Sequence, residues 1–365
     1  MSSLKAFSAL RYNTSNPHAA SMDTYHNIIS SLEGEHEASR NSASVILDML
    51  VEKDTYRLEN RGIWIHEQGN PEQYKTGIIA LRETKVSQEA LQMVEEHLAA
   101  TKMADRLITG EAITCAYYPS AGLLQCINEI KKTSPTFSLT SGGIRHRFWK
   151  ISDPQQLFAL QTAFSFIPQV ILLEGRDKLT RAISRGASDI LTYYIPYYDM
   201  EISSPLLILP CQGKENIDAL FKAIRPHYRI VELNRGENYC SKKEKGIGLF
   251  IRGKWHKLIS KSAMADRDHI PAQISLEEKL IRPFFQHKER KYQLRDQTIS
   301  IEKQMEAFKG SICFSLMDID SATLLTMASS GRLFPAGSIH ITPRLNPGLF
   351  LLFNEQPKES FAIAE

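Results

Sequence analysis

The stretch between residues 146 and 185 constrains the fold more than any other. Ser152-Asp-Pro-Gln-Gln156 carries a helix start: Asp153 stands in the cap position, and Pro154 follows at the first helical position, where its missing N–H costs nothing. The pattern predicts a helix to about Phe166. Val170-Ile-Leu-Leu173 is then a continuously apolar strand, Glu174-Gly-Arg-Asp-Lys178 a turn, and residues 179–185 a second helix. At such a junction Gly175 lets the backbone bend sharply and come close to a ligand. The first N–H groups of the following helix point outward at the positive end of its dipole. Arg176 and Lys178 add donors beside them, a combination that suits a phosphate, while Asp177 opposes an anion. A strand–glycine–helix junction with two basic residues also occurs for purely structural reasons, and the spacing by itself does not separate the two readings.

Around this stretch the chain reads as short mixed elements. Residues 6–12 predict a strand and residues 42–53 a helix capped by Ser44. Residues 62–66 and 77–82 predict an antiparallel strand pair about a loop holding Gly69-Asn-Pro71. A helix is predicted within 86–107, and strands at 115–118, 148–151, 190–198 and 206–209. Beyond Pro210 the pattern restarts, with a helix at 217–224, a strand at 229–232, a hairpin over 245–257 turning at Arg252-Gly-Lys254, a helix at 276–285, a strand at 310–317 and a helix at 321–330. No repeat of 20–50 residues is evident. The fold class expected is α+β, not a regular doubly wound sheet. Three regions are expected: a first domain over 1–210, a second α+β domain over 211–330, and a segment over 331–365 that returns to the first.

Composition narrows the function. The 365 residues carry 44 Lys plus Arg against 41 Asp plus Glu, a formal charge of +3. The split is 20 against 23 up to Pro210 and 24 against 18 beyond it. That balance argues against nucleic acid as a partner held mainly by charge. The five cysteines are scattered without a C-x-x-C pair, which argues against a disulfide framework or a zinc site and predicts reduced thiols. No apolar run approaches the ~18 residues of a membrane-spanning helix. The opening residues lack a basic stretch followed by an apolar one, so a cytoplasmic location without membrane attachment is expected. His97, His146 and His340 stand alone, without metal-ligand spacing, so no metal ligands are assigned. Arg145-His-Arg147 reads as surface charge, and Tyr193 to Tyr198 as strand and core, not a base-stacking platform.

Four blocks then carry a family resemblance: Ala6-Phe-Ser-Ala-Leu-Arg-Tyr-Asn13; Glu95-Glu-His-Leu98 with Asp105-Arg-Leu107; His146 to Pro154 with Ile171 to Lys178 and Thr180-Arg-Ala182; and Phe334-Pro-Ala-Gly-Ser338 with Pro343-Arg-Leu345 and Gly348. In this order they resemble a bacterial domain-of-unknown-function family (DUF 1015). That family is distantly similar to ParB-like and sulfiredoxin-like proteins and to free-serine kinases. The resemblance implies a ParB/sulfiredoxin-like mixed core whose Gly175 turn holds a nucleotide or another phosphorylated small molecule, with magnesium bridging the phosphates. Gly175, Arg176 and Lys178 would bind phosphate, Glu96 or Glu174 would act as base toward a hydroxyl such as that of serine, and Asp105, Arg106, Ser338 and Arg344 would support the cleft.

Departures from the family pattern qualify this. The junction reads D-G-H-H-R in the family, but Glu174, Arg176, Asp177 and Lys178 stand at the variable places here. Lys178 lacks the planar fork of arginine. The H-E-x-T motif is reduced to Glu96, between Glu95 and Leu98, and the closing lysine and threonine are Gly337 and Ile339. Two functions follow as expectations: small-molecule phosphotransfer with a degenerate site, or a non-catalytic binding or regulatory protein that keeps the pocket.

Overall fold

The computed structural model describes residues 3–14, 51–70, 73–84, 108–109, 112–141, 143–184, 186–211, 214–233, 246–261, 270–285, 290–294, 301–308, 310–332, 334–335 and 337–353. It is α+β throughout. In chain order the first elements are β1 (Phe7–Tyr12), β2 (Tyr56–Asn70), β3 (Gln73–Glu83), β4 (Ile108–Thr109) and β5 (Ile113–Tyr117). Helix α1 (Ala121–Lys131), β6 (Phe137–Ser141), β7 (Ile144–Ile151) and α2 (Pro154–Ser165) follow, then β8 (Val170–Glu174), α3 (Arg176–Ser184) and β9 (Asp189–Pro196). Next come β10 (Glu201–Ser203), β11 (Leu206–Pro210), α4 (Lys214–Ile224), β12 (Tyr228–Glu232), β13 (Ile247–Ile251) and β14 (Lys254–Ser260). Helix α5 (Ala272–Leu276) runs on through a π-helical turn at Glu277–Ile281. It precedes β15 (Lys291–Gln293), α6 (Ile301–Glu306), β16 (Ser311–Ser315), α7 (Ser321–Ser329), β17 (His340–Thr342) and β18 (Phe350–Phe353).

The chain divides into two compact units, one built from residues 1–199 and 343–365, the other from 200–342. The division falls ten residues before Pro210. The reason is hydrogen bonding: the apolar run 206–209 forms β11, which pairs with β15 and β16 of the second unit. An apolar strand fits the core of either neighbour, and only its pairing decides.

In the first unit a ten-stranded sheet runs β4-β18-β1-β2-β3-β9-β5-β8, with β7 on β2 and β6 on β7. Its pairs are antiparallel except β5 on β9. Fifteen-residue β2 is the longest strand. Its first half pairs β1 and its second half pairs both β3 and β7, so it joins two parts of the sheet. One face carries Ile63, Ile65, Ile78, Ala80, Cys115, Tyr117, Trp149 and Tyr194, packed against Leu123 and Ile127 of α1 and Leu160 and Phe164 of α2. Both helices begin where the sequence directs. Ser120 Oγ accepts the Leu123 N–H at 3.2 Å. Asp153 Oδ1 accepts those of Gln155 and Gln156 at 3.1 and 2.9 Å. Each such cap contributes about 1 kcal/mol.

The end of the described chain extends this sheet. Strand β18 pairs with β1 through Leu10↔Leu351 and with β4 through Leu352↔Thr109. The ring of Phe350 lies 5.1 Å from Trp64 and 6.3 Å from Phe148. Burying such aromatic area anchors residues 343–353 on the sheet.

The second unit is a six-stranded antiparallel sheet, β12-β14-β13-β16-β11-β15, and a separate pair, β10-β17. Leu209, Leu249, Leu258 and Phe314 on one face pack with Leu220 and Ile224 of α4 and with Leu280 and Phe285. Leu206, Ile208, Phe250, Trp255 and Cys313 form a smaller cluster with Met305. The expected hairpin is present as β13–β14, turning at Arg252 and Gly253, which both take positive φ.

Candidate functional site

The β8–α3 junction is built on one backbone requirement. Gly175 has φ +90°, and a Cβ placed on it would stand 2.9 Å from Cγ2 of Ile113 and 3.1 Å from its Cα. Any L-residue is strained at that φ, and the fully buried Ile113 has no room to yield. The sequence reading took the glycine as letting the backbone bend sharply and come close to a ligand, and the positive φ agrees with the bend. The structure adds a second reason for it: its missing side chain faces β5 of the protein itself. Gly175 is partly exposed, so the turn is not sealed beneath other segments.

Helix α3 begins at Arg176, three residues before the predicted start, because its first turn is polar and hides the periodicity. The Leu179 N–H donates to the Gly175 carbonyl at 2.9 Å, closing that turn. Arg176 and Lys178 therefore sit within the helix, on its N-terminal turn. Lys178 Nζ reaches the carbonyl of Ala112 at 3.5 Å. The Arg176 guanidinium is half-buried and, among the described residues, has no ion-pair or hydrogen-bond partner. Burial holds it below its ordinary pKa. A cation here is disfavoured twice, by lost hydration and by the positive end of the helix dipole.

The carboxylate beside it is engaged elsewhere. Glu174 accepts from Arg344, which arrives on the returning segment 343–353. Register explains how Glu174 comes to face that segment. The β5–β8 ladder pairs Cys115↔Leu172 and then Thr114↔Glu174, so a bulge at Leu173 moves Glu174 to the face of Thr114, away from the helix-covered core.

Of the residues singled out from the sequence, the junction thus joins Glu174, Gly175, Arg176, Lys178 and Arg344 in the first unit. Ser338 belongs to the second unit, where it is buried and its hydroxyl has no hydrogen-bond partner among the described residues. Glu96, Asp105 and Arg106, with His97, lie outside the described residues, as does the side chain of Asp177. Among the described residues there is no group of three or more His, Cys, Asp or Glu side chains placed to hold a metal ion. Cys115, beside Arg82, is pushed up to about 11 by burial, which keeps its thiol protonated and unreactive at neutral pH.

The same sheet face contains a cluster that the sequence reading missed. His146 was expected to stand alone and Arg145-His-Arg147 to be surface charge; Arg145 is exposed, but His146 is buried and Arg147 half-buried. Instead His66 Nδ1 lies 3.0 Å from the Tyr193 hydroxyl and its Nε2 3.0 Å from His146 Nδ1. The His66 ring stacks on Phe148 at 4.4 Å. Arg147 and Lys131 both pair with the buried carboxylate of Glu67, and Arg147 lies 4.2 Å over the Tyr74 ring. His66 and His146 are 80 residues apart. The available signal was the alternation Trp64-His66-Gln68, which places polar groups on one strand face. Gly77, opposite His66 in register, leaves the space that the Tyr193 ring fills: a Cβ there would lie 2.3 Å from it.

No family model matches the chain, and no curated protein does. Among solved structures it is similar to a free serine kinase in complex with AMP, with 10% identity, covering 71% of this chain and 95% of that one, at a TM-score of 0.36. A C-terminally truncated SbnI from Staphylococcus aureus matches at 9% identity over 65% of this chain and 82% of its own, with a TM-score of 0.34. A conserved hypothetical protein from Pyrococcus furiosus matches at 10% identity over 63% and 87%, also at 0.34. Likeness at this level fixes neither a shared fold nor an activity. No helix among the described residues is long and apolar enough to cross a membrane.

Two predictions follow from the packing. Gly175→Ala, read by urea denaturation, loses about 2–3 kcal/mol, from left-handed strain together with the Ile113 contact. A loss below about 0.5 kcal/mol would contradict the close approach. The second concerns pH. Burial, and for His66 the neighbouring His146 as well, holds both imidazoles below their ordinary value. The unfolded chain binds protons below about pH 6.5 that the folded chain refuses, so stability is fullest above that pH and falls as the medium is acidified. The urea midpoint drops from pH 7.5 to pH 5.5, and the H66Q/H146Q variant shows a smaller drop from a lower start. An equal drop in that variant would place the sensitivity elsewhere.

Proposed function

We propose that the first unit binds a phosphorylated small molecule or a nucleotide at the β8–α3 junction, with the phosphate against the first turn of α3. The observation that carries this reading is Arg176, a half-buried guanidinium at the positive end of a helix without a described partner. A bound anion answers both unfavourable terms at once, because it supplies the missing charge and accepts from the helix amides. Lys178 adds charge on the same turn. Arg344 adds more where the anion competes with Glu174 for it.

The finer reading is phosphotransfer to a small hydroxyl compound of the serine type, with nucleotide and magnesium as the partners. Such chemistry is mostly positioning and charge neutralisation. In it, a phosphate that draws Arg344 away releases the Glu174 carboxylate to accept the proton of the attacking hydroxyl, and Glu96 is the second candidate base. Asp105 and Arg106 keep a supporting place in this scheme. One observation favours a non-catalytic binding protein instead: the one described carboxylate at the junction is already ion-paired with Arg344.

Thermal shift separates these readings. ADP, ATP, CTP or phosphoserine, with or without magnesium, raises the melting temperature, and Arg176→Met abolishes that rise. The same variant without ligand melts no lower than the parent, because it removes an unfavourable burial worth about 0.3–1 kcal/mol at a helix end. No stabilisation by any of the four compounds would end the proposal. Turnover that vanishes in Glu174→Gln while binding persists selects the catalytic form; binding without turnover selects the other.

A further inference from the structure

The second unit contains a cleft of about 540 Å³ whose walls include Ile217, Phe250, Ile251, Met305, Phe308 and Ile312. The strand register shows why it opens. Strands β13 and β16 pair from Gly248↔Ser315 to Phe250↔Cys313 and stop there. The next pair in register, Ile251 and Ile312, is not bridged, and both residues line the cleft. Meanwhile β13 stays paired with β14 as far as Ile251↔Lys254, and β16 with β11 as far as Pro210↔Ser311. The cleft therefore lies at the end of the sheet where the β13–β16 ladder stops, and apolar side chains border it.

Among the described residues, one charged side chain lines this cleft, Arg252 at the tip of the β13–β14 hairpin. It is exposed, and its guanidinium has no partner among the described residues. Among the described residues, no Asp or Glu lines the cleft. Arg252 also has φ +50°, in a two-residue hairpin position that Asn, Asp or Gly fills without strain. An arginine here opposes the local backbone preference. Residues in sparsely populated backbone regions cluster at ligand sites.

We infer that this cleft binds a small carboxylate with an apolar body, an aromatic or medium-chain acid. The Arg252 fork takes both carboxylate oxygens. The apolar body enters the cleft beside the half-buried Phe308, over the edges of the buried Phe250, Ile251 and Ile312, and Met305, unbranched and polarisable, adapts to its shape. The volume falls within the range of about 300–1,000 Å³ common to small-molecule sites. This site is independent of the phosphate junction in the first unit.

Binding of 8-anilinonaphthalene-1-sulfonate to the full chain, followed by displacement, tests it. The probe binds at one saturable site with energy transfer from Trp255, whose ring lies 5.2 Å from Phe250. Decanoate displaces it, whereas uncharged decanol at the same concentration does not. Arg252→Asn, which suits the hairpin backbone, melts no lower than the parent yet weakens decanoate about tenfold. Arg252→Lys, which keeps the charge, weakens it less. Absence of a saturable site, displacement by decanol as effective as by decanoate, or unchanged decanoate affinity in Arg252→Asn would each overturn the inference.

Discussion

The junction depends on how closely the β8–α3 turn approaches strand β5. Gly175 can lie against Ile113 only because it has no side chain, and only there can the backbone reverse at φ +90°. That contact fixes where α3 starts, and with it the position of Arg176 and Lys178. A larger residue would push the helix start off the sheet edge and take both cations with it. The phosphate reading therefore rests on a packing constraint that serves the fold first.

The second constraint is the return of residues 343–353. Phe350 is held by Trp64 and Phe148, and Arg344, six residues before it, meets Glu174. Two segments 170 residues apart in sequence thus share an ion pair at the turn. The pair is partly exposed, so its own contribution to stability is small. Its consequence is electrostatic. By occupying Glu174 it leaves Arg176 without that carboxylate, and the junction carries more positive than negative charge among its described side chains.

Much of the framework was legible where a local signal had no competitor. Asp153-Pro154 marked the start of α2, Gly69-Asn-Pro71 marked the reversal between β2 and β3, and Arg252-Gly253 marked a hairpin. Local signals misplaced the start of α3, because Arg176, Asp177 and Lys178 show no apolar period. Long-range pairing was out of reach. Neither the link from His66 to His146, nor the assignment of 206–209 to the second sheet, nor the point where the β13–β16 ladder stops has a sequence signature, since each depends on register between distant strands. Of the candidate site, the turn and its two cations were readable as a pattern. That Arg176 lacks a described partner was not, because burial and pairing belong to the folded chain.

The central claim is that an anion belongs at the first turn of α3. Crystals grown or soaked with tungstate, a heavy phosphate mimic, test it most directly through anomalous scattering. The account predicts a peak within hydrogen-bond reach, about 3 Å, of the Arg176 guanidinium and the leading α3 amides. Peaks found only at other sites, with the Arg176 side chain turned into solvent, would contradict it.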